Sequence, residues 1–334
     1  MHMADALLSP QVGGVLWGVT AGTVAYCSRR VRQLEDDSTV PMMGVMGAFI
    51  FAAQMINFSI PATGSSGHLG GGMILAILLG GPAAFLTIAS VLLVQALFFA
   101  DGGLLALGCN IFNLGFIPAF LVYPFLFKPL AGADPGRRRL FLACLVSAAV
   151  ALQLGALGVV LETTFSGISA LPLSSFLLVM QPIHLAIGLV EGVVTAVVVQ
   201  LIRQQQPGLL QLASATPARP LFSWRRTALA LLLVSLLVGG IGSWYASSQP
   251  DGLEWSVAKV IGGELDSTSS LIATLDNWQQ RIAVLPDYDF ASATADSSLW
   301  SSRFGTSLSG VLGATVSLTL IVGLGVLVRK RNQR

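Results

Sequence analysis

Apolar runs of about twenty residues alternate along the chain with short polar breaks, the spacing expected when whole helices, and not just one helix face, lie out of water. Runs near 11–28, 41–58, 70–80, 82–99, 104–127, 140–161, 177–202, 227–245 and 307–328 predict nine membrane segments. The third run is too short to cross a bilayer alone. It is expected to be a half-length or tilted piece, joined to the fourth through GGPAAF (80–85). A polar stretch punctuated by proline, RQQQPGLLQLASATPARP (203–220), separates the first seven segments from the last two. It divides the chain into a transmembrane domain (1–205), a linker (206–224) and a two-helix module (225–334) whose helices are joined by a long loop, 246–306.

Composition agrees with this pattern. Only 10% of the residues are charged and 54% are hydrophobic, against about a quarter charged in a soluble domain. The expected fold class is therefore an all-α polytopic membrane protein, a seven-helix bundle followed by the two-helix module, with the lipid bilayer as its main surroundings. No basic stripe exists that would suit a nucleic acid. Cys27, Cys109 and Cys144 all lie in or beside apolar runs and read as small buried hydrophobes. Arg29 and Arg30 follow the first run instead of preceding it, so a cleaved signal peptide is not expected and Met1 stays in place.

Cationic residues give the orientation. With nine spans, fifteen of the eighteen fall on one side, in the groups 29–32, 128–139, 203–226 and 329–334; only Lys259, Arg281 and Arg303 fall on the other. The expected arrangement in the cell membrane has the N-terminus outside, the linker and C-terminus in the cytoplasm, and loop 246–306 outside. That loop holds eight of the sixteen acidic residues.

The chain has three histidines, His2, His68 and His184. On this topology His2 and His68 share the outer side. The Met1 amine with the His2 amide nitrogen and imidazole can close two fused chelate rings around one ion, and His68 can add a fourth nitrogen. Four nitrogens in a plane suit Ni(II), Cu(II) or low-spin Co(II). Taken singly, each histidine also reads as an ordinary polar loop or tip residue. His184 and Glu191 lie seven residues apart on one predicted helix face, about 10 Å along the axis. They are either a functional pair at membrane depth or a polar pair bonding neighbouring helices. Asn110 and Asn113 in GCNIFNLG read the same two ways. Asp5, Asn57, Ser65 and Ser66 are further candidates to support the ligands or line the ion's path. Ala21 and Ala25 have the small-residue spacing of a helix-docking face. The sequence contains no phosphate-binding GxxxxGK[ST], no HExxH and no GxSxG, so neither ATP hydrolysis nor protease or hydrolase chemistry is expected of this chain.

MHMADALLSP, FIFAAQMINFSIPATGSSGHLGGG, LLVQALFFADGGLLALGCNIFN and HLAIGLVEG together resemble the CbiM/NikM family over roughly 1–205. SSQPDGLEW and LPDYDF in the tail resemble the small CbiN/NikN partner, over roughly 225–334. The resemblance implies the metal-specific membrane component of an energy-coupling-factor importer for cobalt or nickel, of the kind that supplies cobalamin biosynthesis. It implies a seven-helix fold whose N-terminal tip enters a central cavity, and partners comprising a transmembrane coupling subunit and ATPase subunits. The ion is substrate; no organic cofactor and no enzyme activity are implied. The metal ligands it implies fall on Met1, His2 and His68. Many relatives open Met-His-Ile-Pro-Asp-Gly-Phe; this chain keeps Asp5 but has Met3-Ala4 before it and Ala6 after. The alternative reading is a proton-coupled carrier working through His184 and Glu191; a metal sensor or assembly scaffold is a third.

The charge pattern predicts that a reporter fused after Arg334 reads cytoplasmic and one inserted near Ser269 reads external. Both on one side would remove a segment from the count and undo the outer placement of His2.

Overall fold

Each apolar run becomes a helix. The computed structural model describes residues 2–34, 36, 38–168, 170–205, 224–263, 269–290 and 299–330; most of the 206–224 linker lies outside the described residues. The helices are α1 (Pro10–Arg32), α2 (Thr39–Gln54), α3 (Gly72–Leu79), α4 (Gly81–Phe99), α5 (Leu107–Ala131), α6 (Arg137–Phe165), α7 (Leu173–Gln205), α8 (Trp224–Gly240), α9 (Gly252–Ile261), α10 (Ser270–Ile282) and α11 (Leu299–Lys330). By length and composition, five helical stretches among the described residues can cross a bilayer: α4, α5, α6, α7 and Arg303–Leu327 of α11.

Local chemistry sets the boundaries. Ser9 caps α1, its hydroxyl accepting from Val12 N, with Pro10 in the first turn and Arg29, Arg30 and Arg32 in the last. The predicted 41–58 segment is shorter as a helix: α2 stops at Gln54, and Phe58–Ile60 (β1) pairs antiparallel with Ser65–Gly67 (β2). The 227–245 segment likewise leaves α-helix at Gly240 and ends in the 3-10 turn Gly242–Tyr245. Within α5, Phe112–Phe127 is wound as a π-helix containing Pro118 and Pro124. Proline cannot donate to a helical ladder, and wider winding is one way a helix accommodates it.

The central helices α3 and α4 are buried along most of their length, and α6 packs along α7 as a long antiparallel hairpin. The pair α8 and α11 packs on itself and against α2. At the α8–α11 crossing Gly239 and Gly310 touch backbone to backbone, and a Cβ on Gly310 would run into the Gly239 carbonyl. Such small residues let membrane helices approach closely. Ala21 and Ala25, whose spacing could serve helix docking, are exposed within this chain; the buried positions of α1 are Gly13, Thr20, Cys27 and Val31.

The acidic loop is a folded cap. Helix α9 buries Leu253 and Val257 and lies against α7 and β2, while α10 packs beside the end of α4. Gln279 of α10 donates to the carbonyls of Ala96 (3.0 Å) and Gly102 (2.6 Å). Val284 and Leu285 both donate to Phe98 O.

Gly310→Ala should destabilise the full chain by about 1–3 kcal/mol in detergent unfolding, because the added carbon meets unyielding backbone. Gly240→Ala, where the nearest contact is Val311 Cγ2 at 3.8 Å, should be close to neutral. Equal effects would show that the crossing does not depend on close approach.

Candidate metal site

The site begins with a chain end that is tied down. Met3, Leu7 and Leu8 are buried, which anchors the tip on its apolar side chains. Between them the backbone is bonded into the α4–α5 connection. Met3 N donates to Asn110 Oδ1 at 2.8 Å, Asn110 Nδ2 donates to Met3 O at 3.3 Å, and Gly103 N donates to Met3 O at 2.9 Å. Asp5 accepts from Ala106 N at 2.9 Å. Burial raises the Asp5 carboxyl above the usual carboxylate range, with the backbone N–H of Ala106 pulling the other way. Met1 lies outside the described residues.

His68 reaches the same place from the β2–α3 connection. The rings of His2 and His68 stack with centroids 5.0 Å apart and planes 19° from parallel. His2 Nδ1 lies 2.9 Å from Asp101 Oδ1, and its Nε2 is buried with no hydrogen-bond partner among the described residues. Burial, with His2 close by, pushes the His68 imidazole down to about 3, so it is neutral and able to ligate at ordinary pH. Burial opposes the charge on Asp101, but the His2 ring and the Tyr288 hydroxyl bonded to it hold its carboxyl at about 2.

The C-terminal module packs over the two histidines. Ser66 N donates to Pro250 O (2.8 Å) and Ser66 Oγ to Gln249 O (2.7 Å). Ser247 N donates to Asn57 O (2.7 Å), and the Trp255 indole donates to Thr63 O (3.1 Å). Asp251 caps α9, accepting from Leu253 N and Glu254 N, and its Oδ2 stands 3.9 Å from His68 Nε2. Tyr288, stacked on Phe99, bonds Asp101.

Beneath the site, Glu191 accepts from Gly70 N (2.7 Å) and Gly71 N (3.1 Å), fixing the backbone just after His68. Buried His184 bonds Met180 O through Nδ1 at 2.8 Å, and its Nε2 has no hydrogen-bond partner among the described residues. The two groups share a buried face but do not bond each other. Of the other candidates, Ser65 bonds Thr63 and Asn113 bonds Glu162, which makes Asn113 a helix-bonding residue.

Sequence reasoning missed Asp101, Asp251 and Tyr288. Each belongs to a motif noted above, ADGG, PDGLE or LPDYDF, but only folding shows that two carboxylates 150 positions apart flank the two imidazoles. Among the described residues, no three His, Cys, Asp or Glu side chains converge to hold an ion by themselves.

Residues 2–209 match the family described as the cobalt uptake substrate-specific transmembrane region, CbiM. The chain belongs to the CbiM family. Residues 225–330 match the PDGLE domain, so this family member carries the CbiN-like part in the same chain. A fused nickel transport protein NikMN of Rhodobacter capsulatus is 31% identical over 98% of this chain and 96% of its own length. A cobalt transport protein CbiM of Geobacter sulfurreducens is 32% identical over 79% and 78%. The crystal structure of a truncated transition metal transporter, 31% identical, superposes with a TM-score of 0.50 over 60% of this chain and 98% of that one. The fold is thus that of a nickel- and cobalt-transport family of multi-pass membrane proteins.

Asn110→Ala should loosen the tip by about 1–3 kcal/mol, because it leaves the buried Met3 amide unpaired. Hydrogen exchange at residues 3–8 of the full chain should rise accordingly; unchanged protection would show that the clamp does not hold the tip.

Proposed function

We propose that this chain captures Ni2+ or Co2+ on the outer side of the cell membrane and carries it across, using ATP hydrolysed by separate subunits of an energy-coupling-factor importer. The observation that carries the reading is the stacked His2–His68 pair at a clamped chain end. The ligands are the Met1 amine, the His2 amide and imidazole, and His68. Fused chelation uses His2 Nδ1, the ring nitrogen nearest its own amide. A half-turn about the Cβ–Cγ bond brings Nδ1 to the other edge of the ring and leaves Asp101 to pair with Nε2. Carboxylates commonly orient metal-bound histidines in this way.

Residues 1–205 form the seven-helix capture domain, 206–224 a cytoplasmic linker, and 225–334 the assisting two-helix module with its loop 246–306 outside. The N-terminus is outside and the C-terminus cytoplasmic, as the cationic residues divide. The outward face of α1 suits the coupling subunit: Gly14, Gly18 and Gly22 have nothing packed against them and Ala21 and Ala25 are exposed. The chain itself acts as a carrier component and not as an enzyme.

Adding one residue before Met1 moves the amine without removing a side chain, and should abolish tight binding of Ni2+ and Co2+ to purified protein. His2→Ala and His68→Ala should do the same, whereas His184→Ala should keep the ion. Undiminished binding by the extended chain would sink the amine as a ligand.

The terminal amine, ordinarily near 7.7–8.0, must lose its proton to bind, and the His2 amide proton must also leave. Protons therefore compete with the ion, and affinity should rise from roughly pH 6 to 8. His68, held neutral throughout that range, should add nothing to the slope, which equilibrium dialysis across pH would read. A flat profile would remove the amine and amide from the ligand set.

A further inference from the structure

The turn 249–254 sits on the site in a way that closure alone does not require. Ser66, two residues before His68, donates only to main-chain carbonyls of this turn, its N–H to Pro250 O and its hydroxyl to Gln249 O and Pro250 O. Gly252 lies against α7 so closely that a Cβ there would come within 3.0 Å of Ile187 Cδ1 and 3.2 Å of His184 Cε1. The turn is therefore seated as deep as bare backbone permits. Beside buried Leu253 it presents one carboxylate towards the histidines, Asp251, with Oδ2 3.9 Å from His68 Nε2. A small cavity opens between them, walled by glycines and by Leu114, Leu152 and Ile187; among the described residues that line it, His68 and Asp251 are the ones able to ligate a metal.

Distance makes this pair chemically specific. First-row divalent ions sit roughly 2.0–2.2 Å from imidazole nitrogen and carboxylate oxygen. Atoms 3.9 Å apart are therefore spaced to hold one such ion between them with little movement. The pair is also mixed in origin, one donor from the capture domain and one from the fused module.

We propose that Asp251 is a transfer ligand: an incoming divalent ion is first held between the Asp251 carboxylate and His68, then passes to the nitrogen set at the chain end. This rests on the capture-site reading above and adds to it a direct chemical task for the module. Asp251 exchanges bound water on the ion for carboxylate oxygen and later releases it; no bond of the protein is made or broken covalently.

The test is the association rate of Ni2+ with the purified full chain, obtained from equilibrium affinity and from release into a chromogenic chelator. Asp251→Asn and Asp251→Ser both keep an N-cap acceptor and remove the carboxylate. Each should slow association at least tenfold, and the deficit should persist in 0.5 M salt, since a direct ligand acts inside the Debye length. Asp276→Asn, which removes one exposed charge from the same module, should stay within twofold of the unaltered chain. Association within twofold for both Asp251 variants would overturn the proposal. So would a deficit that vanishes in salt, or an equal one for Asp276→Asn, because each would reduce Asp251 to long-range attraction. If His68→Ala binds Ni2+ as tightly as the unaltered chain, the capture-site reading fails instead, whatever the Asp251 rates show.

Discussion

Everything at this site depends on holding the end of the chain still. A terminus is ordinarily frayed, and each residue fixed in place costs backbone entropy of about 1–2 kcal/mol. Here the cost is opposed locally. Met3, Leu7 and Leu8 are buried, and the Met3 amide and carbonyl are both bonded to Asn110. Asp5 then ties the following turn to Ala106. The effect is to place His2 directly beside a rigid anchor, Met3, where its ring meets His68 and Asp101. A histidine on a longer arm would have to be ordered anew each time an ion arrived.

The fused module acts on this anchored pair from two directions. Its first turn, 249–254, is bonded to the backbone beside His68; its second, around Tyr288, is bonded to Asp101 and so bears on His2. Between these turns, α10 is fastened to the end of α4 by Gln279. Carrying both parts in one chain makes their meeting intramolecular and raises the local concentration of the cap over the site. The helix pair α8–α11, packed against α2, fixes where that cap starts and ends.

Much of the fold was legible because membrane helices announce themselves by length and apolarity. All nine runs coincide with helices, and even the short third run appeared as an eight-residue piece, α3. What was not legible has a physical reason. The hairpin β1–β2 starts at the last residue of an apolar run, Phe58, and three-residue strands are too short to show a period of two. Helices α9 and α10 lie in a segment whose acidity drew attention away from Leu253, Val257 and Ile272. At the site, His2 and His68 stand out because histidine is rare in this chain; Asn110 reads either as a helix-to-helix bonder or as a supporting group, and folding gives it the Met3 backbone as its partner. Asp101 and Asp251 could not stand out in the same way: their meaning comes from pairings made across 99 and 183 positions of sequence, and no local pattern carries that. Glu191 was read with His184, whereas folding gives it to the amides of Gly70 and Gly71.

The two missed carboxylates make sense once charge is considered. A divalent cation leaving water for a largely buried place needs compensating negative charge nearby, because an unpaired buried charge is costly. Nitrogen ligands alone supply little: a neutral imidazole and amine bring none, and an ionised amide brings one. Asp101 beside His2 and Asp251 beside His68 place formal charge at the two ends of the stacked pair, next to the nitrogen ligands proposed above. They are held in different ways. Asp101 is locked by Tyr288 and the His2 ring, whereas Asp251 stands on a turn held to the hairpin mainly through backbone carbonyls. The arrangement therefore pairs a carboxylate fixed within residues 1–205 with one whose support comes from the PDGLE part of the chain, as the proposed transfer of an ion requires.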